Sequence, residues 1–336
     1  MSLSSDNMPV SWCSRPPWRR RCWCPWTPGA TMCQCDVELI TVDAGGAVGP
    51  ESVAFDGDGG GPYTGVSDGR VLKWLSLERR WVEHSSAVIE PHLLDSCRGS
   101  KDTKREQECG RPLGLKFNSK TGELYVADAY LGLRVVSPGE NVSRPLVPKR
   151  TGSTFSFSNG VEIDHETGVI YFTETTGDNT GRLLKYDPKE NKVEVLVDGL
   201  RFPNGLAMSN DGSYLLFAET TTGKILRYWI KTPKASTIEE IAQLPGFPDN
   251  IKMSPRGGFW VGLHAKRGKI AEWSISYPWL RKVIALRLSE DGKITETMSV
   301  HGDVRKLFKS ISEVEEKDGN LWIGSVLSPF LGLYRI

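Results

Sequence analysis

Six stretches of this 336-residue chain carry one order of apolar and polar positions: Glu51–Asp56, Leu113–Phe117, Asn159–Asp164, Asn204–Met208, Asp249–Met253 and Ser312–Glu316. Within each, apolar residues alternate with small or polar ones, the period of a β-strand. A turn follows every copy: Asp58-Gly59, Lys120–Gly122, Glu166–Gly168, Asn210–Gly212, Arg256–Gly258 and Lys317–Gly319. Each turn leads into a second, β-prone segment, such as Val169–Thr173 or Asn320–Gly324. Most copies show a third, as in Gly69–Trp74, Gly181–Tyr186 and Gly223–Tyr228.

The six starts lie 62, 46, 45, 45 and 63 residues apart. A four-stranded propeller blade takes about 40–50 residues. The pattern therefore predicts an all-β fold over residues 37–336: a six-bladed β-propeller with four strands per blade. The two longer intervals hold insertions. The first carries Cys97 and Cys109. The second, between blades five and six, carries residues 277–286, which read as a short amphipathic helix, either a lid over the pocket or packed on the propeller. Val37–Val42, ahead of the first copy, is expected to close the ring by pairing with the last blade, which covers sheet edges.

Composition removes several function classes. There are 42 Lys+Arg and 41 Asp+Glu, a net charge of +1. That balance gives nucleic acid or an acidic membrane no charge to bind. No apolar run reaches about 18 residues, so no transmembrane helix is expected. Residues 1–36 differ from the rest, with five of the seven Cys and four of the eleven Trp. They lack the apolar core of a signal peptide. Their Cys pairs are C-x-C, with no His nearby, unlike zinc spacing. This segment is expected to be disordered, or the product of a wrongly assigned first exon that replaced a signal sequence, rather than a metal module. Cys97 and Cys109 share one polar stretch and could form a disulfide, which needs an oxidising compartment. Asn141-Val142-Ser143 is an N-glycosylation sequon. Together these two features point to the secretory pathway.

In a propeller the innermost strands stand side by side around the axis. Equivalent positions then form a ring facing the channel. The first position of the six copies reads Glu51, Leu113, Asn159, Asn204, Asp249 and Ser312. Two carboxylates and two carboxamides make the hard-oxygen set that Ca²⁺ takes, with positions left for water or substrate. The ring has no His or Cys, which argues against zinc. Asn-Gly is also a turn dipeptide, a reading open to Asn159 and Asn204. Glu51 is no turn former, and converging carboxylates repel without a cation. Asn250, beside Asp249, could add a contact. His264, after the second strand of blade five, could reach the channel. His84 and His92, read as lying in the first insertion, could form a rim or lie on exposed loops, and Asp128 could face the channel or serve a turn. No Gly-x-Ser-x-Gly elbow or phosphate-binding loop appears.

Several motifs together resemble the strictosidine synthase-like proteins of plants. They are Gly49–Ser52, Val66–Arg70, Cys97 with Cys109–Arg111, Leu124–Asp128, Gly168–Thr173, Gly181–Asp187 and Lys317–Gly324. The resemblance covers residues 37–336. It implies a six-bladed propeller, a Cys97–Cys109 disulfide and passage through the secretory pathway. Strictosidine synthase itself condenses tryptamine with secologanin in a metal-free Pictet–Spengler reaction. Its catalytic Glu stands at the start of the last blade, where this chain has Ser312. Glu313 is adjacent, but one residue along a strand turns a side chain to the other face. With Glu51, Asn159, Asn204 and Asp249 the chain is instead similar to the wider superfamily of paraoxonases, gluconolactonases and diisopropyl fluorophosphatase. That similarity implies Ca²⁺ ligation by these four residues, with Asp249 also as nucleophile or general base.

Three functions follow as expectations. The first is a Ca²⁺-dependent hydrolase of a lactone, ester or organophosphate, with Asp249 and His264 as catalytic residues. The second is a condensing enzyme of the synthase type, opposed by Ser312. The third is a secreted binding propeller. A monomer acting on a small molecule, in the vacuole, the endoplasmic reticulum lumen or outside the cell, is expected.

Overall fold

The computed structural model describes residues 37–42, 45–88, 90–148, 156–264, 283–299, 308 and 310–336. Six antiparallel sheets carry the repeats. Strand β1 (Glu38–Thr41) precedes the first blade. Blade one has β2 (Tyr63–Gly65), β3 (Arg70–Leu75) and β4 (Arg80–Ser86); blade two has β5 (Pro112–Phe117), β6 (Leu124–Asp128), β7 (Gly132–Val136) and β8 (Arg144–Val147). Blade three has β9 (Ser156–Ile163), β10 (Ile170–Thr176), β11 (Gly181–Asp187) and β12 (Lys192–Leu200). Blade four has β13 (Pro203–Met208), β14 (Tyr214–Glu219), β15 (Lys224–Trp229) and β16 (Ile238–Gln243). Blade five has β17 (Phe247–Met253), β18 (Phe259–His264), β19 (Val283–Leu288) and β20 (Ile294–Ser299). Blade six has β21 (Glu313–Lys317), β22 (Asn320–Gly324) and β23 (Phe330–Arg335).

The fourth strand of blade six is β1, paired with β23 from Glu38↔Leu333 to Thr41↔Phe330. The chain thus closes its own ring, as the sequence predicts. Apolar faces of neighbouring blades bury against each other at every seam. Ala218 and Ile225 meet Ile251 and Val261 between blades four and five, and Ile40 and Leu331 meet Val53 and Trp74 between blades six and one. Burying apolar surface in this way supplies most of the folding drive.

Three expectations change. Glu51–Asp56 forms no strand; it joins blade one through the single bridge Ala54↔Tyr63. The intervening Asp56–Pro62 stretch, with four glycines, makes a wide turn instead of a tight hairpin. Residues 283–286, expected in a helix, begin strand β19; the rest of 277–286 lies outside the described residues. A short apolar run fits either period, and pairing with β18 and β20 decides for the strand. His84 lies in β4, not in the insertion, and packs edge-on against the Tyr63 ring. The first insertion holds the short helices α1 (Pro91–Cys97) and α2 (Glu106–Cys109), joined by a Cys97–Cys109 disulfide.

Candidate metal centre

Leu113, Asn159, Asn204 and Asp249 lie in the innermost strands β5, β9, β13 and β17; Ser312 stands just before β21, and Glu51 lies in the irregular entry to blade one. In blades two to five the ladder slips there: register shifts fall at Pro112/Gly114, Phe172/Glu174, Pro203/Leu206 and Pro248/Ile251. The bulges take Leu113, Asn159, Asn204 and Asp249 out of regular pairing. A bulge re-aims the residue it frees.

Close packing between blades brings these positions together. A Cβ on Gly205 would lie 2.4 Å from Asn250 Cα in the next blade, and one on Gly160 2.9 Å from the Asn204 carbonyl oxygen. Only glycine allows that approach. Asn250 N donates to Ser312 O at 2.9 Å, and Ser325 N to Pro50 O at 2.7 Å, continuing the ring into blades six and one.

The oxygen-bearing candidates are buried: Glu51, Asn159, Asn204, Asp249 and the neighbouring Asn250 are each 3–4% exposed. Three of their oxygens, Glu51 Oε2, Asn159 Oδ1 and Asn204 Oδ1, have no hydrogen-bond partner. A buried unsatisfied acceptor costs about 1–3 kcal/mol, so three at equivalent repeat positions call for a shared partner. The same three oxygens suit a hard cation. Asn204 is oriented for this: its Nδ2 donates to Thr220 Oγ1 at 3.2 Å, and Thr220 Oγ1 donates to Pro248 O at 2.7 Å. Thr220 escapes sequence reading because it opens a 3₁₀ turn in blade four, 16 residues from Asn204.

Burial pushes the Glu51 carboxyl well above its usual range, and the nearby Asp249 carboxylate adds to the effect; Arg111 opposes it. A buried carboxyl with a second carboxylate beside it makes a site that a divalent cation would neutralise. Asp249 Oδ2 lies 2.5 Å from His264 Nε2. Burial disfavours the charged imidazole, but the Asp249 carboxylate outweighs it and the His264 pKa is raised.

Other candidates fall elsewhere. Asn250 turns toward Gly205, one position off the ring, and its Nδ2 is unpartnered. Leu113 contributes no oxygen. Ser312 is fully buried, its Oγ accepting from Val326 N at 3.1 Å. Asp128 is a turn carboxylate, accepting from the backbone N–H groups of Arg111, Tyr130 and Leu131. His92 is exposed on α1. Asn141 is exposed beside Ser143, whose Oγ accepts from buried Arg134. Among the described residues no group of three or more His, Cys, Asp or Glu side chains is placed to hold a metal ion, so the oxygen set depends on its two carboxamides.

Three positions below the ring lies a belt that sequence reasoning missed, although the repeat register contains it: Lys116, Glu162, Lys252 and Glu315 occupy the fourth position of their copies. Lys116 Nζ pairs with Glu162 at 2.8 Å, and Lys252 Nζ lies 3.4 Å from Glu313 and 4.0 Å from Glu315.

The fold is shared with solved propellers. A calcium-binding regucalcin from Agrobacterium tumefaciens matches with a TM-score of 0.62 at 13% identity, over 89% of this chain and 93% of that one. A gluconolactonase from Xanthomonas campestris matches with a TM-score of 0.62 at 15% identity, over 89% of each chain. Family models for strictosidine synthase and for the strictosidine synthase-like N-terminal region match residues 159–233 and 36–74. In Arabidopsis thaliana, Protein STRICTOSIDINE SYNTHASE-LIKE 10 is 44% identical over 88% of this chain and 87% of its own length. Protein STRICTOSIDINE SYNTHASE-LIKE 2 is 43% identical, over 87% of this chain and 88% of its own length. With that identity sustained along most of both chains, this protein belongs to the strictosidine synthase-like family.

Proposed function

We propose that the chain is a Ca²⁺-dependent hydrolase of a lactone, ester or organophosphate. One observation carries the reading: the unpartnered, buried oxygens of Glu51, Asn159 and Asn204, which share one repeat position with Asp249. Bound there, Ca²⁺ would supply a Lewis acid for a carbonyl or phosphoryl oxygen. Glu51, Asn159, Asn204 and Asp249 would hold it, with Asn250 behind them. Asp249 serves as general base or nucleophile. His264, 30% exposed at its side chain against 5% for Asp249, contacts the carboxylate through Nε2 and can pass a proton to or from it. Synthase-type condensation needs a carboxylate base at the start of blade six. Ser312 has none, and Glu313 is engaged with Val53 and Lys252.

The test is a panel of lactones, aryl esters and phosphotriesters assayed with Ca²⁺ and with chelator. Hydrolysis that chelator abolishes and Ca²⁺ restores is expected, with Asp249→Asn slower by at least about 100-fold. Chelator-insensitive turnover, or no bound calcium by elemental analysis, defeats the proposal. Bound calcium without turnover of any substrate favours a binding propeller.

The Cys97–Cys109 disulfide and the exposed Asn141 support a place in the secretory pathway. Glycosidase treatment of protein from plant tissue should then increase its gel mobility.

A further inference from the structure

Glu51 is the ring residue with the least backbone support. Below their bulges, the ring strands of blades three to five re-enter a regular ladder, as in Ile251↔Val261, Lys252↔Trp260 and Met253↔Phe259. Blade one has only the Ala54↔Tyr63 bridge, three residues past Glu51. The peptide groups around Glu51 are held by other blades instead. Arg111 donates to Gly49 O at 3.0 Å, and Ser325 N donates to Pro50 O. On the far side, Val53 N donates to Glu313 Oε1 at 2.5 Å, and Lys252 Nζ donates to Val53 O at 3.4 Å.

We propose that Glu313 and Lys252 are positioning residues for the metal centre: together they grip both polar groups of Val53 and so fix Glu51 two residues away. The inference rests on the metal reading above. It also explains why two opposite charges are buried at this point. Glu313 is 2% exposed at its side chain and Lys252 13%, and each compensates the charge of the other. Both contact backbone at Val53, and the Glu313 carboxyl also adds to the upward push on the Glu51 pKa. Residues that orient a ligand usually change metal affinity about 10–100-fold when lost.

The experiment is calorimetric Ca²⁺ titration of the full chain, with the melting temperature of each metal-free variant alongside. Glu313→Leu, which removes the acceptor for Val53 N–H, should weaken Ca²⁺ binding about tenfold or more, and Lys252→Met severalfold. Glu313→Gln keeps an oxygen acceptor and should stay within about threefold of the native chain. Lys116→Met breaks an ion pair of the same belt without touching Val53, and should lower stability while leaving Ca²⁺ affinity unchanged. If Glu313→Leu does not fold, Lys252→Met set against Lys116→Met decides. Native-like affinity in Glu313→Leu and Lys252→Met overturns the inference. So does Glu313→Gln falling as far as Glu313→Leu, or Lys116→Met losing as much as Lys252→Met. A native chain that binds no Ca²⁺ defeats the metal reading itself, and this inference with it.

Discussion

Asn204 can turn only one end of its amide to the channel, and Thr220 determines which. The Thr220 hydroxyl spends its proton on Pro248 O, so toward Asn204 it can only accept. The amide nitrogen therefore faces Thr220 and the oxygen faces the ring. Thr220→Val keeps the shape and removes both bonds. It should weaken Ca²⁺ binding about tenfold and cost about 1–3 kcal/mol of stability, with Thr220→Ser restoring both; titration and chemical denaturation measure the two effects. At this scale the sequence was only partly legible. The ring residues stand out because they share a repeat position and are oxygen-bearing. Thr220, Arg111 and Glu313 do not, because their contacts span 16 to 260 residues and no local period marks them.

Single elements are bound to their neighbours by ionic bridges as well as apolar seams. Glu316 on β21 accepts from Ser254 Oγ at 2.7 Å and Trp260 Nε1 at 2.8 Å, and pairs with Arg256, so it ties blade six to blade five. Burial alone would raise its pKa. The hydrogen bonds from Arg256, Trp260 and Ser254 outweigh burial and hold the carboxyl below its usual range. A carboxyl depressed in the folded state contributes stability above its unfolded pKa of about 4.3, and loses that contribution as pH falls through the folded value. Glu316→Gln should therefore be less stable than the native chain by about 1–3 kcal/mol near neutrality. The gap should shrink as pH drops below about 4. Melting temperatures from pH 3 to 7 test this; a gap that widens in acid contradicts it. Element type was legible in the copies of blades two to six, where the two-residue period leads into a tight turn. It misled at 283–286, where an apolar run without alternation fits either period, and at Glu51–Asp56, where glycines in the turn kept the second strand from closing on the first.

The whole ring depends on β1. Its four residue pairs with β23 cover an edge that would otherwise be open, and Glu38 pairs with Arg79 at 2.8 Å and Arg335 at 2.7 Å. A chain beginning at Val42 should melt about 10 °C or more below one beginning at Val37, and should elute partly as aggregate, because the freed edge of β23 offers itself to other chains. Equal melting points and monomeric elution would show that closure contributes little.

The amino-acid order alone determined six copies of one strand–turn–strand unit, their spacing, and the ring of oxygen-bearing first positions. Those are local or periodic properties, and period survives in a string of residues. It also indicated closure, since a strand before the first copy has nowhere else to pair. The tertiary structure alone decided which carboxamide face meets the channel, that Asp249 and His264 touch, and that blade one holds Glu51 with side chains from blades two, five and six in place of a ladder. Those depend on bulges and on approach between blades across glycine, where a shift of one residue or about an ångström changes which atoms meet. No pattern along the chain encodes distance across the axis.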